Sequence, residues 1–462
     1  MTFTSIIFFK FLLSVLILYW LIPIKIIQNT LLLLSSYYFY GYIHPWFCLL
    51  IITSTVVDYT CGIGIEKFNK HKKYFLYISL ISNLGLLITF KYLNFFIENF
   101  RYLFLNLGLE INLESLNIIL PVGISFYTFQ TLSYTIDLYR GKIKTNKNFI
   151  DFSLYVSFFP QLVAGPIERA THFLPQVQAK KVFCKDRFFS SFPLILKGFL
   201  KKLVIADNLA VYVDKIYMID QPNPLLLAIG TFAFAFQIYA DFSAYTDIAR
   251  GVARLFGYEL IKNFNSPYLA LNPSDFWNRW HKSLSSWVRD YLYIPLGGSR
   301  VKKLHYLGIL LTSMGLSGLW HGAAWNYILW GFYHAIILYV YHIIGITGKW
   351  EAKNIYIKFF SWGVMFSLTL FGWALFRCPS IAWLTSNIFT GSNYKFDHTV
   401  FITSVYILIS VLLLISPFAL LLIEKYFIKN IWFLKGIFYT IYLSLIFLFS
   451  APERVDFIYF QF

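Results

Sequence analysis

Long apolar runs separated by short polar loops dominate this chain of 462 residues. Many runs approach the ~20 residues that an α-helix needs to cross a bilayer, and they lack the strict polar–apolar alternation of membrane β-strands. The pattern therefore predicts an all-α polytopic membrane protein with about ten to twelve transmembrane helices. The clearest predicted spans cover residues 4–22, 29–52, 75–97, 117–138, 225–248, 305–319, 324–344, 356–376, 400–423 and 436–451.

Residues 237–300 depart from this pattern, because they are hydrophobic yet crowded with Asp, Asn, Arg, His, Pro and Gly. Irregular, polar backbone is tolerated at membrane depth only where protein or water surrounds it. We therefore expect re-entrant or cavity-lining helices in this region. The polar stretches elsewhere are only as long as loops, so the sequence predicts a single membrane domain over residues 1–462.

Composition supports a membrane location and narrows the class of partner. The chain is 58% hydrophobic and 13% charged, whereas a soluble domain is roughly a quarter charged. Its net charge of +17 is concentrated in loops, which indicates attraction to anionic membrane lipid; nucleic acid is not expected as a partner, since no soluble basic domain is predicted. The four cysteines are widely spaced and no HExxH-like motif occurs, so we expect no disulfide framework and no metal site.

Charges near the end of the chain predict its orientation. Lys425, Lys429 and Lys435 precede the last apolar run, and Arg454 is the only basic residue after it. The positive-inside rule then places residues 425–435 in the cytoplasm and the C-terminus on the outer, periplasmic side. The first apolar run lacks a basic leader and a small-residue cleavage site, so we expect a first span and not a cleaved signal.

One histidine, His321, lies in the apolar, small-residue segment Leu316–Trp325. An ionisable side chain at membrane depth costs ~2.5–3.5 kcal/mol when charged and is a functional-site hypothesis by default. Imidazole takes and returns a proton near neutral pH, and on a helix Ser317 and Ala324 share its face. A general base is one interpretation. A core histidine satisfied by a carbonyl or hydroxyl is the other.

A second histidine, His281, follows a predicted helix start. Asn272 is a good N-cap, Pro273 suits the first turn, and Asp275 occupies the capping-box position. Apolar and aromatic side chains then recur every three or four residues and predict one broad aromatic face with His281 at its edge. The face comprises Trp277, Trp280, Leu284, Trp287 and Tyr291. An interfacial aromatic belt is the alternative interpretation.

Basic residues follow that element and are candidates to bind the phosphates of a cytoplasmic cofactor. Arg289 and Arg300 are the candidates, with Lys302 and Lys303 beside the second of them. Contacts to lipid phosphates are the alternative interpretation.

A polar stripe precedes these elements, because Gln237, Asp241 and Tyr245 recur at helical spacing. An unpaired Asp facing lipid is hard to sustain. We therefore expect the stripe to face a cavity, where it would position a donor or an acceptor through hydrogen bonds.

The chain ends in the aromatic segment 457–462, which contains Tyr459. Such a tail is often an interfacial anchor. A tyrosine on the outer face is also a candidate nucleophile, because the phenol pKa of about 10 makes an aryl ester a better leaving group than a serine ester. The hypothesis is that Tyr459 carries an acyl group.

Several motifs taken together resemble the membrane-bound O-acyltransferase (MBOAT) superfamily, most closely its branch of alginate O-acetyltransferase membrane subunits and their peptidoglycan O-acetyltransferase relatives. Each motif alone would be weak, whereas the set is highly specific and extends over most of the chain. The motifs are Pro121–Gln130, Phe159–Ile167, Tyr239–Asp247, Phe276–Ser285, Arg289–Gly298 and Gly318–Trp325.

The resemblance implies a site and a fold. His321 would be the catalytic histidine and His281 the second family histidine, in a core of about 11 transmembrane helices around a central tunnel. The catalytic core would cover about 117–345 and the aromatic tail 452–462. In the related D-alanyl transferases a small partner protein carries the acyl group on a terminal tyrosine, and the tail with Tyr459 looks similar.

The function that the resemblance implies is O-acetylation of a cell-envelope polysaccharide, with acetyl-CoA as cytoplasmic donor and transfer across the inner membrane. A separate periplasmic SGNH-type O-acetyltransferase or esterase-like protein is the expected partner. The excess of Phe, Ile, Lys, Asn and Tyr suggests an AT-rich genome, whereas alginate producers in this family tend to be GC-rich, so we favour peptidoglycan over an alginate-like exopolysaccharide. A D-alanyl or other acyl transferase of the superfamily and a non-enzymatic transporter are the alternatives.

Overall fold

The computed structural model describes residues 1–111, 113–116, 118–163, 165–348, 350–389, 398–428, 432–451 and 456–458. Within these ranges the secondary structure is helical and contains no β-strand, as the apolar pattern predicts. Contacts between the helices divide the chain into two compact units. The first comprises Met1–Ser191 with Ala249–Ile261, and the second comprises Phe192–Ile248 with Lys262–Phe462.

The first unit contains the N-terminal helices, together with residues 249–255 at the end of a helix that starts in the second unit. A 3₁₀ turn at Asn69–His71 and a π-helical turn at Ile88–Tyr92 connect three of them. The helices are α1 Ile6–Leu21, α2 Lys25–Gly41, α3 Phe47–Lys67, α4 Lys72–Leu87, α5 Leu93–Asn106, α6 Ile124–Tyr139, α7 Phe149–Ser157, α8 Phe159–Leu162, α9 Ala170–Gln178 and α10 Lys185–Phe189.

Buried polar side chains join the helices of the first unit. Asp58 on α3 accepts hydrogen bonds from Asn83 on α4 at 2.8 Å and from Thr135 on α6 at 3.1 Å. Asp151 on α7 pairs with Lys25 on α2 at 2.8 Å. Because each buried carboxylate is paired or hydrogen-bonded, its burial is tolerated and it fixes the register of the helices around it.

The second unit contains the later helices and a π-helical turn at each of Leu200–Ala206 and Arg289–Tyr293. A 3₁₀ turn covers Pro267–Leu269. The helices are α11 Ser191–Phe199, α12 Asp207–Tyr217, α13 Pro224–Leu255, α14 Pro273–Arg279, α15 Lys282–Val288, α16 Lys303–His321, α17 Trp325–Ile343, α18 Ile355–Arg377, α19 Ile381–Phe389, α20 His398–Ile415, α21 Pro417–Phe427 and α22 Trp432–Phe449.

Helices α16 and α17 form a close hairpin whose crossing depends on glycine. A Cβ added at Gly318 would lie 2.1 Å from the carbonyl oxygen of Tyr327, and one added at Gly331 would lie 2.2 Å from that of Met314. Small residues at both crossing points let the two backbones approach closely. The hairpin fixes the end of α16, which is His321.

Five helical segments of the described chain are long and apolar enough to cross a membrane. They are Phe47–Lys67, Asn69–Asn106, Pro224–Leu255, Ile355–Arg377 and His398–Phe427, with shorter apolar helices at Ile6–Leu21 and Phe433–Phe449. The all-α, multi-pass class is therefore confirmed, and the total of about eleven crossings stays a prediction.

Two predicted spans have wrong boundaries: the run 117–138 begins before its helix α6, which starts at Ile124, and another run covers a break between two helices. The apolar run 29–52 covers the end of α2 and the start of α3, which are separated by a turn at residues 42–46. That turn contains Pro45, which disfavours helical backbone at the residue before it. Its other residues include Tyr, Ile and Trp, so hydropathy does not mark the break.

We expect Gly318→Ala to destabilise the protein by roughly 1–3 kcal/mol, because the added methyl group meets backbone that cannot rotate away. Thermal unfolding in detergent, followed by tryptophan fluorescence, measures the change. Gly363→Ala on α18 is the matched control, since nothing lies within 4 Å of its added Cβ, and it should unfold at the same temperature or slightly higher. Equal midpoints for the two variants would contradict the glycine-dependent crossing.

Candidate functional site

His321 is the last residue of α16 and is surrounded by aromatic rings. Its side chain is 3% exposed. The rings of Trp320, Trp330 and Phe376 have centroids 5.0, 5.2 and 5.4 Å from that of the imidazole. Such an apolar enclosure strengthens electrostatic interactions and excludes bulk water. A proton held or released here would therefore act on groups within the enclosure.

His281 lies in the same layer of rings. It is fully buried, and its imidazole centroid is 4.6 Å from Phe242 on α13 and 5.8 Å from Trp320 on α16. Trp320 thus contacts both histidines. Two histidines that are 40 positions apart in the chain therefore both contact one indole ring.

The backbone at His281 adopts the left-handed conformation, with φ 39° and ψ 55°. This conformation is uncommon for residues other than glycine, although histidine, asparagine and aspartate adopt it more readily than most. Asn263 secures the turn, because its carbonyl accepts the N–H of Lys282 at 2.9 Å and its side chain accepts that of Ser283 at 3.2 Å.

The prediction of one continuous aromatic helix through this region is therefore wrong. Helix α14 ends at Arg279 and α15 begins at Lys282, because the left-handed residue His281 interrupts the helical path. The predicted N-cap is confirmed, since Asn272 accepts the N–H of Asp275 at 2.8 Å. The carboxylate of Asp275 pairs instead with Arg279 at 2.8 Å.

The polar stripe of α13 is buried, and its predicted position beside a cavity stays a prediction. Gln237, Asp241 and Tyr245 are all less than a tenth exposed. Asp241 lies 2.9 Å from the ammonium of Lys202. The Oε1 atom of Gln237 has no hydrogen-bond partner among the described residues, so it is available to a bound group.

The C-terminal segment packs against this stripe. The N–H of Ile458 donates to Asp241 at 2.7 Å, and the ring of Phe457 lies 4.0 Å from that of Tyr245. Both tail side chains are buried. Tyr459 itself lies outside the described residues, whereas its chain neighbour Ile458 is buried and bonded to α13.

Sequence reasoning missed Lys202. Its ammonium lies 2.8 Å from Asp207 and 2.9 Å from Asp241 and is buried. The available signal was a lysine pair, 201–202, inside the apolar run that leads into Asp207. A buried cation of this kind needs a nearby carboxylate, and Asp241 in the next apolar helix was the candidate partner.

A cavity of about 310 Å³ lies among α14, α15, α16 and α17. Hydroxyl and basic side chains line part of it, and Ser317 of that lining stands one helical turn before His321. The lining includes Trp277, Asn278, Lys282, Ser285, Arg289 and Ser313. Of the two arginines predicted to bind phosphate, Arg289 lines the cavity, whereas Arg300 is exposed and lies outside the lining set.

The third histidine of the region, His334, is also enclosed by rings. Its imidazole centroid lies 4.8 Å from that of Trp330 and 5.1 Å from that of Trp277. It lies on the regular helix α17. Among the described residues no group of three or more His, Cys, Asp or Glu side chains is placed to hold a metal ion.

Two buried histidines beside a cavity with hydroxyl and basic lining, in an all-α membrane protein, fit the class of membrane enzymes that transfer acyl groups. The profile of the MBOAT, membrane-bound O-acyltransferase family, matches residues 32–376. The chain belongs to this family and is an acyltransferase.

Curated relatives support this assignment. The chain is 37% identical over 357 residues to the probable alginate O-acetylase AlgI of Pseudomonas syringae pv. tomato. The matched region covers 77% of this chain and 68% of the relative. It is 36% identical over 382 residues to the peptidoglycan O-acetyltransferase of Helicobacter pylori, with 76% and 71% covered. A teichoic acid D-alanyltransferase of Bacillus subtilis is 29% identical over 267 residues, with 55% and 66% covered.

The left-handed backbone predicts an order of stability among variants of His281. His281→Asn should be more stable than His281→Ala by about 1 kcal/mol, because asparagine tolerates this conformation better than alanine. Chemical unfolding in detergent measures the difference. The same two substitutions at His334 are the control, and alanine should be the more stable there because it is the better helix former. The same order at both positions would contradict the argument.

Proposed function

We propose that the chain transfers an acetyl group from cytoplasmic acetyl-CoA across the inner membrane for O-acetylation of a cell-envelope polysaccharide. The observation that carries the proposal is the cavity between α14 and α17, which reaches Ser317, one turn from His321. A volume near 310 Å³ is at the lower end of the range for small-molecule sites. It suits a narrow thioester arm better than a whole nucleotide.

The basic lining supports a phosphate-bearing donor. Lys282 and Arg289 are exposed side chains that line the cavity, so they would bind phosphates while the acyl arm lies inside. Arg289 also donates to Asp290 at 2.7 Å, which orients its guanidinium. Arginine binds phosphate oxygens through paired hydrogen bonds in a fixed geometry.

His321 is the proposed general base. It would take the proton of the accepting hydroxyl as the oxygen attacks the thioester carbonyl, and the imidazolium would return that proton to the departing thiolate of CoA. One ester bond forms as one thioester bond breaks, and no redox partner is required. His281, which also contacts Trp320, would orient the thioester or stabilise charge, and Gln237 and Asp241 would position donor or acceptor.

Tyr459 is the proposed first acceptor. The packing of Phe457 and Ile458 against α13 supports this, because it fixes the two residues before Tyr459 in the second unit, which also holds His281 and His321. An aryl ester on Tyr459 would lie between a thioester and a sugar ester in transfer potential. With the C-terminus on the periplasmic side, a separate SGNH-type O-acetyltransferase or esterase-like protein would then accept the acetyl group.

Peptidoglycan is the acceptor polymer that we favour, with an alginate-like exopolysaccharide next. Relatives that bear both names match the chain at similar identity and coverage, so the choice rests on residue composition. D-alanyl transfer is the second candidate, and the relative that carries that name matches at 29% identity.

The proposal predicts a covalent acetyl adduct after incubation of the purified protein with isotope-labelled acetyl-CoA. Intact mass and peptide mapping should place the label on Tyr459 in the wild type. His321→Ala and Tyr459→Phe should both lose it, whereas His334→Gln, which changes another ring-enclosed histidine, should keep it. An adduct that persists in Tyr459→Phe would contradict the tail carrier. Absence of both an adduct and thiol release in every sample would contradict the acetyl-CoA donor.

The donor pocket predicts different effects for the two arginines. Arg289→Gln should raise the KM for acetyl-CoA about tenfold with little change in kcat, since a charged hydrogen bond contributes ~1.5–3 kcal/mol and exposure reduces that value. Arg300→Gln is the matched control and should leave the KM unchanged. Steady-state thiol release measures both. An equal rise in KM for the two variants would contradict the assignment of the cavity.

A further inference from the structure

The C-terminal segment is bound to the second unit by one charged centre. The ammonium of Lys202 lies between Asp207 at 2.8 Å and Asp241 at 2.9 Å. The second carboxylate oxygen of Asp241 accepts the N–H of Ile458 at 2.7 Å. A single buried aspartate therefore bonds at once to the core cation and to the backbone of the tail.

Aromatic packing fixes the same segment from the side. The ring of Phe457 lies 4.0 Å from that of Tyr245, with 31° between the planes, and 5.8 Å from that of Phe242. Phe242 is in turn 4.6 Å from the imidazole of His281. The tail thus contacts a ring that also contacts one of the two site histidines.

This arrangement carries a free-energy cost, which indicates that it has a role. Placing a backbone N–H and three charged groups in a membrane protein's interior is unfavourable unless every group is paired. Six residues further along α13, Asp247 pairs with Lys201 at 2.7 Å. Asp241 makes the corresponding pair with Lys202 and in addition binds the tail.

We propose that Asp241, held by Lys202, is the residue that positions the C-terminal tail for acyl transfer. The proposal deepens the proposed function and rests on it. Lys202 and Asp207 orient the carboxylate, Asp241 accepts the Ile458 N–H, and Tyr245 and Phe242 hold Phe457. The two residues that precede Tyr459 in the chain are thereby held against α13. Asp241 is a positioning residue, because its contact is with the tail of its own chain.

The test measures tail attachment and transfer separately. Carboxypeptidase digestion of the full-length protein in detergent, followed by mass spectrometry, reports the rate at which Phe457 and Ile458 are released. In the wild type this release should be slow. Asp241→Ala should speed it at least tenfold, and Asp241→Asn, whose amide oxygen still accepts the N–H, should restore most of the protection. A charged hydrogen bond of ~1.5–3 kcal/mol corresponds to this range.

Ile458→Pro provides a second route that leaves the ion centre intact, because proline lacks the donated N–H. It should free the tail as Asp241→Ala does and is assayed by kcat, because carboxypeptidases cleave poorly at proline, whereas Ile458→Val should behave as the wild type. Asp247→Ala is the control for loss of a neighbouring lysine–aspartate pair and should leave the tail protected. Release in Asp247→Ala equal to that in Asp241→Ala would overturn the proposal, as would unchanged release in Asp241→Ala.

The kinetic readout separates positioning from stability. With acetyl-CoA as donor, Asp241→Ala and Ile458→Pro should lower kcat at least tenfold and leave the KM for acetyl-CoA unchanged, since neither residue lines the donor cavity. A freed tail with unchanged kcat would overturn the positioning role. Inactivity of the wild type with acetyl-CoA would instead contradict the proposed function, and the digestion experiment would still decide whether Asp241 holds the tail.

Discussion

The interaction on which the second unit depends is the buried ion centre of Lys202, Asp207 and Asp241. A lysine ammonium in an apolar interior costs several kcal/mol unless carboxylates compensate it. Here two carboxylates from different helices lie within 3 Å of it. The centre therefore ties the π-helical turn before α12 to the middle of α13 and fixes which face of α13 is turned inward.

The consequences follow along α13. With Asp241 turned inward, Gln237 and Tyr245 lie one turn away on the same buried face. Phe242, the next residue in the chain, contacts both His281 and the tail. The rings around His281 and His321 then complete an enclosure from which water is largely excluded, and this would protect an activated acyl group from hydrolysis. The left-handed backbone of His281 is retained because Asn263 bonds to the two residues that follow it.

Much of this could be predicted because apolar length and periodicity are local properties of the chain. The run 225–248 corresponds to α13, and 305–319 corresponds to α16. The turn at residues 42–46 could not be located from hydropathy, since most of its residues are themselves apolar or aromatic. The break at His281 was missed for a different reason: neither Trp280 nor His281 is a typical helix breaker, and the turn depends on Asn263, which is distant in sequence.

The ion pairs between helices could not be predicted from the sequence either. The sequence predicts that Asp241 does not face lipid, yet its partner Lys202 lies 39 positions away, and neither position alone indicates the other. The difference between Arg289 and Arg300 likewise depends on where the chain turns after α15. The local sequence indicates both arginines as candidates to bind phosphate, and only their positions relative to the cavity distinguish them.

The most direct test is to locate the residues at which an acyl-CoA thioester binds. A photoreactive acyl-CoA with its diazirine in the acyl chain would be irradiated with the purified protein, and the labelled peptides would be identified by mass spectrometry. The account predicts label on residues of α14, α15 and α16 that line the cavity, and loss of that label when excess acetyl-CoA competes. Label confined to other parts of the chain, or label in α14–α16 that acetyl-CoA does not displace, would contradict it.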